Sequence, residues 1–248
     1  FSLKPTMYIE RNSIMNKNSN KIITAIHQPN YIPWLGYFYK IYQSDVFVFL
    51  DDAQFSNEGM HNYHYIKTPQ GPFRLKIPVV QKMGDKINEV KTKDTLDWKQ
   101  KHLKTIENNY KRAPYFSEVF SDFENLLVQD YESLSAMNIE LIRFICAKFG
   151  ISTEFVVASA LNISSVREEK ILDICQKLNA TVYYSGTGAR AYQNEDNFIQ
   201  RNIELKYSVY RPFEYPQFFG DFQTNVTVLD YLMHCGYDWE RVIKHQEK

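Results

Sequence analysis

The run Val46-Phe47-Val48-Phe49-Leu50 is apolar at every position, and no other feature constrains the fold as much. A strand with one wet face alternates apolar and polar residues. One that is apolar throughout is covered on both faces, the situation of a parallel strand between helices. This run ends at Asp51-Asp52 and is preceded by a second apolar run, Ile22–Ile26, broken by His27-Gln28-Pro29-Asn30. Pro33-Trp34-Leu35-Gly36-Tyr37-Phe38-Tyr39-Lys40-Ile41 lies between the two, with a proline suited to the first turn of a helix. Strand, helix and strand make a βαβ unit. The same order returns with a strand at Thr153–Ala158, a helix at Lys170–Leu178 and a strand at Thr181–Tyr184 that runs into Ser185-Gly186-Thr187-Gly188. The expectation is an α/β fold: a Rossmann-like, mostly parallel sheet with a helical insertion and a small antiparallel β element.

The antiparallel element is expected from two extended runs, Tyr63–Lys67 and Phe73–Val80, around Thr68-Pro69-Gln70-Gly71-Pro72, with Met83-Gly84-Asp85 as a second turn. Apolar residues recur at helical spacing over Trp98–Lys111, Tyr115–Leu127 and Ser133–Phe149, which places a helical insertion at about residues 95–150, with Asp130 and Ser133 as cap candidates. Leu205–Tyr210 reads as extended. Thr227 with Asp230 reads as a capping box opening a helix over Val228–His234 that Gly236 closes. Residues 1–21 are polar and Asn-rich without period, and are expected to be a disordered or added extension, with one α/β domain over 22–248.

Composition narrows the function classes. Twenty-nine basic against twenty-nine acidic residues give zero net charge, so no long-range field recruits nucleic acid, and a nucleic-acid partner is not expected. Cys146, Cys175 and Cys235 are odd in number and widely spaced, which points to a reducing, cytoplasmic setting. No apolar run approaches the roughly 20 residues that span a bilayer. The sequence has no GxSxG elbow, Walker loop, GxGxxG or HExxH. Cys146 and Cys175 sit on apolar helical faces as core thiols.

Ligands of open α/β sheets lie beyond the carboxyl ends of the strands, so the residues after each strand are the candidates. His27, Gln28, Asn30, Tyr31 and Trp34 crowd one loop stiffened by Pro29 and Pro33, either as a site or as polar groups that satisfy backbone. Asp51 and Asp52 suit a ribose diol or an amine, or cap a turn, and a metal ion is disfavoured there because no third ligand stands at a recognisable spacing. Ser185, Gly186 and Gly188 with Arg190 and Tyr192 make a turn whose N–H groups can meet a phosphate or carboxylate, or a connection that needs positive φ. Arg211-Pro212-Phe213-Glu214-Tyr215-Pro216-Gln217 is a rigid loop. His61-x-x-His64 has chelate spacing in an extended region where positions three apart face opposite sides, so no metal is expected. The strand-end clusters are expected to converge on one pocket.

His27-Gln28-Pro29-Asn30-Tyr31-Ile32-Pro33-Trp34-Leu35-Gly36-Tyr37-Phe38 resembles the opening motif of the WbqC-like family, bacterial proteins associated with O-antigen and other surface-polysaccharide gene clusters. The resemblance continues through Asp51–Phe55, Leu75–Val79, Trp98 with Lys101-His102, Tyr110–Phe116, Tyr184–Gly186, Tyr215–Gln217 and Val228–Leu232, covering essentially Ile22 to the C-terminus. It implies a transferase that acylates or aminoacylates, glycyl transfer included, a nucleotide-linked amino sugar, with an activated acyl or aminoacyl donor as the co-reactant and a homo-oligomer as a compatible assembly. A nucleotide-dependent ligase or nucleotidylyltransferase-like enzyme and a sugar-nucleotide-binding accessory protein are the alternatives. On this reading His27 is the base, and Gln28 and Asn30 are orienting groups or oxyanion donors. Tyr31, Trp34, Tyr37, Asp51, Asp52, Gln54, Asn62, Lys67, Tyr215 and Gln217 contact substrate with the Ser185–Tyr192 group. The family's Asn-Arg-Asn-like stretch is replaced by Asn62-Tyr63-His64, which shifts any anion-gripping role toward Lys67. A looser similarity in layout to nucleotidylyltransferases would put their HxGH at Trp34-Leu35-Gly36-Tyr37, where neither histidine is present.

Overall fold

The structure, a computed structural model, describes residues 21–247, so the expectation for residues 1–20 lies outside the described residues. Strand β1 (Ile23–His27) leads through the Pro33 loop into helix α1 (Leu35–Tyr42) and then β2 (Val46–Phe49), buried at all four positions. Phe47 and Phe49 join the larger core beneath α1, and Val46 and Val48 join a second core on the other face, as an unbroken apolar strand requires.

The chain then leaves the sheet. β3 (Tyr63–Thr68) and β4 (Gly71–Lys76) form an antiparallel hairpin turned at Pro69-Gln70, and Gly71 takes φ 101°, which a Cβ would oppose. The extended run expected over 73–80 divides at Pro78, which cannot donate to a ladder. β4 stops at Lys76, and β5 (Val79–Val80) pairs instead with β6 (Lys91–Thr92). Three helices follow: α2 (Trp98–Tyr110), α3 (Phe116–Leu127) and α4 (Leu134–Lys148). Ser133 caps α4 by accepting from the Ala136 amide at 3.2 Å, whereas Asp130 caps nothing and lies 4.0 Å from Lys99. These helices bury Trp98, Ile106, Phe123 and Leu141 in the same core as α1, so the insertion and the sheet are one packed body.

The sheet resumes with β7 (Glu154–Val157), α5 (Arg167–Lys177), β8 (Val182–Gly186), α6 (Glu195–Gln200) and β9 (Glu204–Ser208), and the chain closes with α7 (Val228–Cys235) and α8 (Trp239–Gln246). All five sheet strands run parallel in the order β7-β2-β1-β8-β9. That is the doubly wound order, and its direction reverses between β1 and β8, where such sheets bind ligands. The capping box expected at α7 is half present. Thr227 accepts from the Leu229 amide at 3.3 Å, but the carboxylate of Asp230 turns inward to accept from the Tyr110 hydroxyl at 2.8 Å. No helix among the described residues is long and apolar enough to cross a membrane.

Candidate functional site at the strand switch

The β1–β8 ladder ends at Ala25↔Tyr184, although β1 stays paired with β2 as far as His27↔Phe49. The two strands therefore part at the reversal point. The Ile26 carbonyl, next after the last rung, accepts at 2.8 Å from Nζ of Lys40, which α1 directs onto the sheet. Lys40 is 4% exposed and forms no ion pair among the described residues. Burial without a counter-charge pulls its pKa down to about 7. Sequence reasoning missed this residue because a helical lysine is ordinarily solvated. The available signal was its place between Tyr37 and Ile41 on the sheet-facing stripe.

His27 closes β1 on the same face. Its ring lies 4.9 Å from that of Tyr37 and 6.2 Å from that of Trp34. Nδ1 is 3.0 Å from the Gln28 carbonyl, which also accepts from the Tyr37 hydroxyl at 2.9 Å. A carbonyl can only accept, so Nδ1 carries the proton and Nε2 is left with its lone pair. Burial, and then the charge of Lys40, lower the His27 pKa to about 3, so the imidazole is neutral. Extending the register sets Gly186 opposite His27. A Cβ on Gly186 or on Gly188 would meet nothing within 4 Å, and neither glycine has positive φ, so a connection that needs positive φ is not what these glycines serve.

The loop carrying His27 is held from several sides. Tyr31 is fully buried, and its hydroxyl lies 3.1 Å from Nδ1 of His102, whose Nε2 lies 3.2 Å from the Lys76 carbonyl. Nε2 must therefore donate to Lys76, and Nδ1 accepts from Tyr31. Ile32 sits at φ 34°, a strained state for a β-branched residue, and is fixed by the Thr227 hydroxyl bonding its carbonyl at 2.6 Å. Asn138 of α4 donates to the carbonyls of Pro29 at 3.0 Å and His61 at 2.8 Å, joining this loop to the segment before β3. Trp34 stacks on His64 at 6.2 Å, so His61 and His64 both border the His27 loop, and burial lowers each to about 4. Asn30, Asn62 and Asn138 are buried with an unpartnered Oδ1 apiece. Among the described residues no group of three ligating side chains could hold a metal.

The other candidates are placed as follows. Asp51 is buried and accepts from the Ser159 amide (2.9 Å), the Ser159 hydroxyl (2.7 Å) and Asn88 (3.1 Å), while Asp52 pairs with Lys170. Both side chains thus bond to segments that follow β7. Ser185, next to Tyr184 in β8, points to the face opposite His27 and is fully buried. Arg190 and Tyr192 are exposed, with Arg190 5.0 Å over the Tyr207 ring. Lys67 is buried, and all three of its N–H groups are taken by Gln217 (3.2 Å), the Gly220 carbonyl (3.2 Å) and the Asp221 carbonyl (2.6 Å). Gln217 in turn donates to Tyr215 at 3.1 Å. Tyr215 and Trp34 line one narrow aromatic crevice with Tyr210 and Phe222. Asn62 donates to the Ile77 carbonyl at 2.9 Å, and Gln54 is exposed. The strand-end clusters share the sheet's carboxyl edge. All three cysteines are buried, and burial pushes Cys175 up to about 12, as inert core thiols behave.

A doubly wound, all-parallel five-stranded α/β sheet defines a protein of the Rossmann-like fold class. The model of the WbqC-like protein family matches residues 28–242, and the chain belongs to that family. It is also 34% identical over 216 residues to the uncharacterized protein Rv1507c of Mycobacterium tuberculosis, covering 86% of this chain and 93% of that protein. No solved structure matches this chain.

Proposed function

We propose that this chain is a transferase that places an acyl or aminoacyl group on the amine of a nucleotide-linked sugar used in surface-polysaccharide assembly, with the β1–β8 opening as the seat of the reaction. Lys40 carries this reading. It has a pKa near 7, no counter-ion and a place at the strand reversal. A base works best with its pKa near the operating pH, and one at about 7 is well suited to deprotonating an amine attacking an acyl carbon. His27, lowered to about 3, is the weaker base of the two. The base role expected of it passes to Lys40, and its Nε2 lone pair orients the amine N–H. The nitrogen lone pair attacks the donor's carbonyl carbon and a C–N bond forms. The bond from that carbon to the leaving group breaks with its electron pair, and the proton shed by nitrogen passes to Nζ. Gly186 and Gly188 leave open space beside β1 for the nucleotide.

The test is mass spectrometry of UDP- and dTDP-amino sugars incubated with the protein and activated acyl or aminoacyl donors. A mass gain on the sugar that disappears in Lys40→Arg, which keeps the charge but cannot release the proton, is the expected result. Release of pyrophosphate or AMP would instead make the protein a ligase, and binding without turnover would make it an accessory protein.

A further inference from the structure

We propose that β9 is an interface between two copies of this chain, which pair their β9 strands antiparallel about a twofold axis at Leu205 and join the two sheets into one. The inference goes beyond the proposed transfer and does not depend on it. β9 is an outer strand, paired with β8 on one side only. The Glu204 amide donates to the Thr181 carbonyl at 2.9 Å, so the backbone groups of Glu204, Lys206 and Ser208 face β8. The carbonyls of Ile203 and Leu205 and the amides of Leu205 and Tyr207 therefore point outward, and among the described residues nothing bonds to these four groups. Proteins usually shield such an edge with a proline or a bulge. β9 has no proline, and its register with β8 is unbroken.

Side-chain chemistry selects the register. Glu204 and Lys206 share one face of the strand, are about half exposed and pair with each other at 3.2 Å. A twofold axis at Leu205 sets each Glu204 opposite the Lys206 of the other copy, at positions without ladder hydrogen bonds, where facing side chains approach most closely. On the other face it sets Leu205 against Leu205 and Tyr207 against Ile203, an aromatic and β-branched match. The two Leu205 residues then exchange both backbone bonds, and each Tyr207 amide reaches an Ile203 carbonyl. The Ile203 amide is already given to the Phe198 carbonyl at 2.9 Å and is not called on. An axis at Glu204 or at Lys206 would put like charges directly opposite, and one at Tyr207 would leave both charges unmatched. Exposed apolar residues extend the contact: Val209 follows the strand, and Tyr192 and Ile199 lie on the two elements packed against it, the 3-10 helix Thr187–Tyr192 and α6. At the sheet's other edge, β7 carries a single charge, Glu154, and offers no such match.

Sedimentation equilibrium of the full chain, together with NMR-detected hydrogen exchange, tests this directly. The protein should sediment at twice the mass of one chain, and the Leu205 and Tyr207 amides should gain protection as concentration rises. Lys206→Glu should weaken association about tenfold by setting four carboxylates together. Adding Glu204→Lys exchanges the two charges and should restore association to within about threefold of the parent. Leu205→Pro removes one outward amide, leaves the bonds to β8 in place and should abolish the dimer. The charge exchange, made at exposed positions, decides the matter if Leu205→Pro does not fold. A monomer at every concentration, a dimer indifferent to Lys206→Glu, or a charge exchange that fails to restore pairing overturns the inference. Protection of the two amides that does not vary with concentration also overturns it, because another segment of the same chain would then cover the edge.

Discussion

Nζ of Lys40 lies 2.8 Å from the carbonyl oxygen of Ile26, in the place where β8 stops pairing with β1. A cation thus stands at the reversal point of the sheet with one neutral acceptor and no carboxylate, an arrangement that costs stability and shifts the lysine toward its neutral form.

The pH dependence follows from the direction of that shift. The folded-state pKa, about 7, lies below the ordinary 10.5, so the burial penalty is fully present below pH 7 and is relieved as pH rises toward 10.5. In this window the lysine adds a slope of up to about 1.4 kcal/mol per pH unit. Lys40→Met should stabilise the fold at pH 6 by on the order of 1–3 kcal/mol and flatten the alkaline rise, while turnover falls about 10²–10⁴-fold. Urea midpoints at pH 6 and 9 measure the first effect. Equal midpoint shifts at both pH values would show that Lys40 titrates normally.

Four histidines set the acid limit. His27 is lowered to about 3, and His61, His64 and His102 to about 4, all by burial first. Each folded pKa lies below the unfolded value of about 6.5, so stability is complete above that pH and is lost as pH falls toward 4. Each histidine contributes a slope of up to about 1.4 kcal/mol per unit. The denaturation midpoint should drop steeply between pH 6.5 and 4.5, and His102→Gln should make the drop shallower. An unchanged midpoint over that interval would contradict the burial of these rings.

Lys67 separates structure from binding. Its three N–H groups hold Gln217, Gly220 and Asp221, so Lys67→Met should cost about 2–4 kcal/mol by leaving those acceptors unpaired. Sugar-nucleotide affinity, measured by calorimetry below the lowered melting point, should stay within about twofold. Loss of affinity with an unchanged melting temperature would restore the anion-gripping role that the sequence suggested.

The sheet was legible because its strands advertise themselves. A run such as Val46–Phe49, apolar on both faces, has few other homes, and the Ser133 helix start follows the local capping rule, whereas Pro33, expected in the first turn of α1, lies just outside it because Trp34 is the cap and Leu35 the first helical residue. Helix α6, six residues long, is too short to show a period. Helix α8 did carry one, with Asp238 as its cap and Trp239, Val242 and Ile243 as its apolar stripe. The site was less legible because parity fails there. His61 precedes the first residue of β3, Tyr63, so the alternation that should put His61 and His64 on opposite faces does not extend to it. Asp51 illustrates the converse: one residue type suits ligand and turn alike, and only the positions of Ser159 and Asn88, 108 and 37 residues away, decide which oxygens are taken.

Gly186 offers the sharpest separation of fold from function. Its φ of −78° and ψ of 145° are open to any residue, and a Cβ there would meet nothing, so the fold gives no reason for glycine at this position. Gly186→Ala should leave the protein equally stable or raise its stability by about 0.4–1 kcal/mol through the unfolded chain. Opposite His27, however, the added methyl enters the space assigned to the nucleotide. Affinity for a UDP-sugar should therefore fall about tenfold in Gly186→Ala and further in Gly186→Val, with melting temperatures near the wild type. If both variants bound the nucleotide as the parent does, the opening between β1 and β8 would not be where the ligand lies.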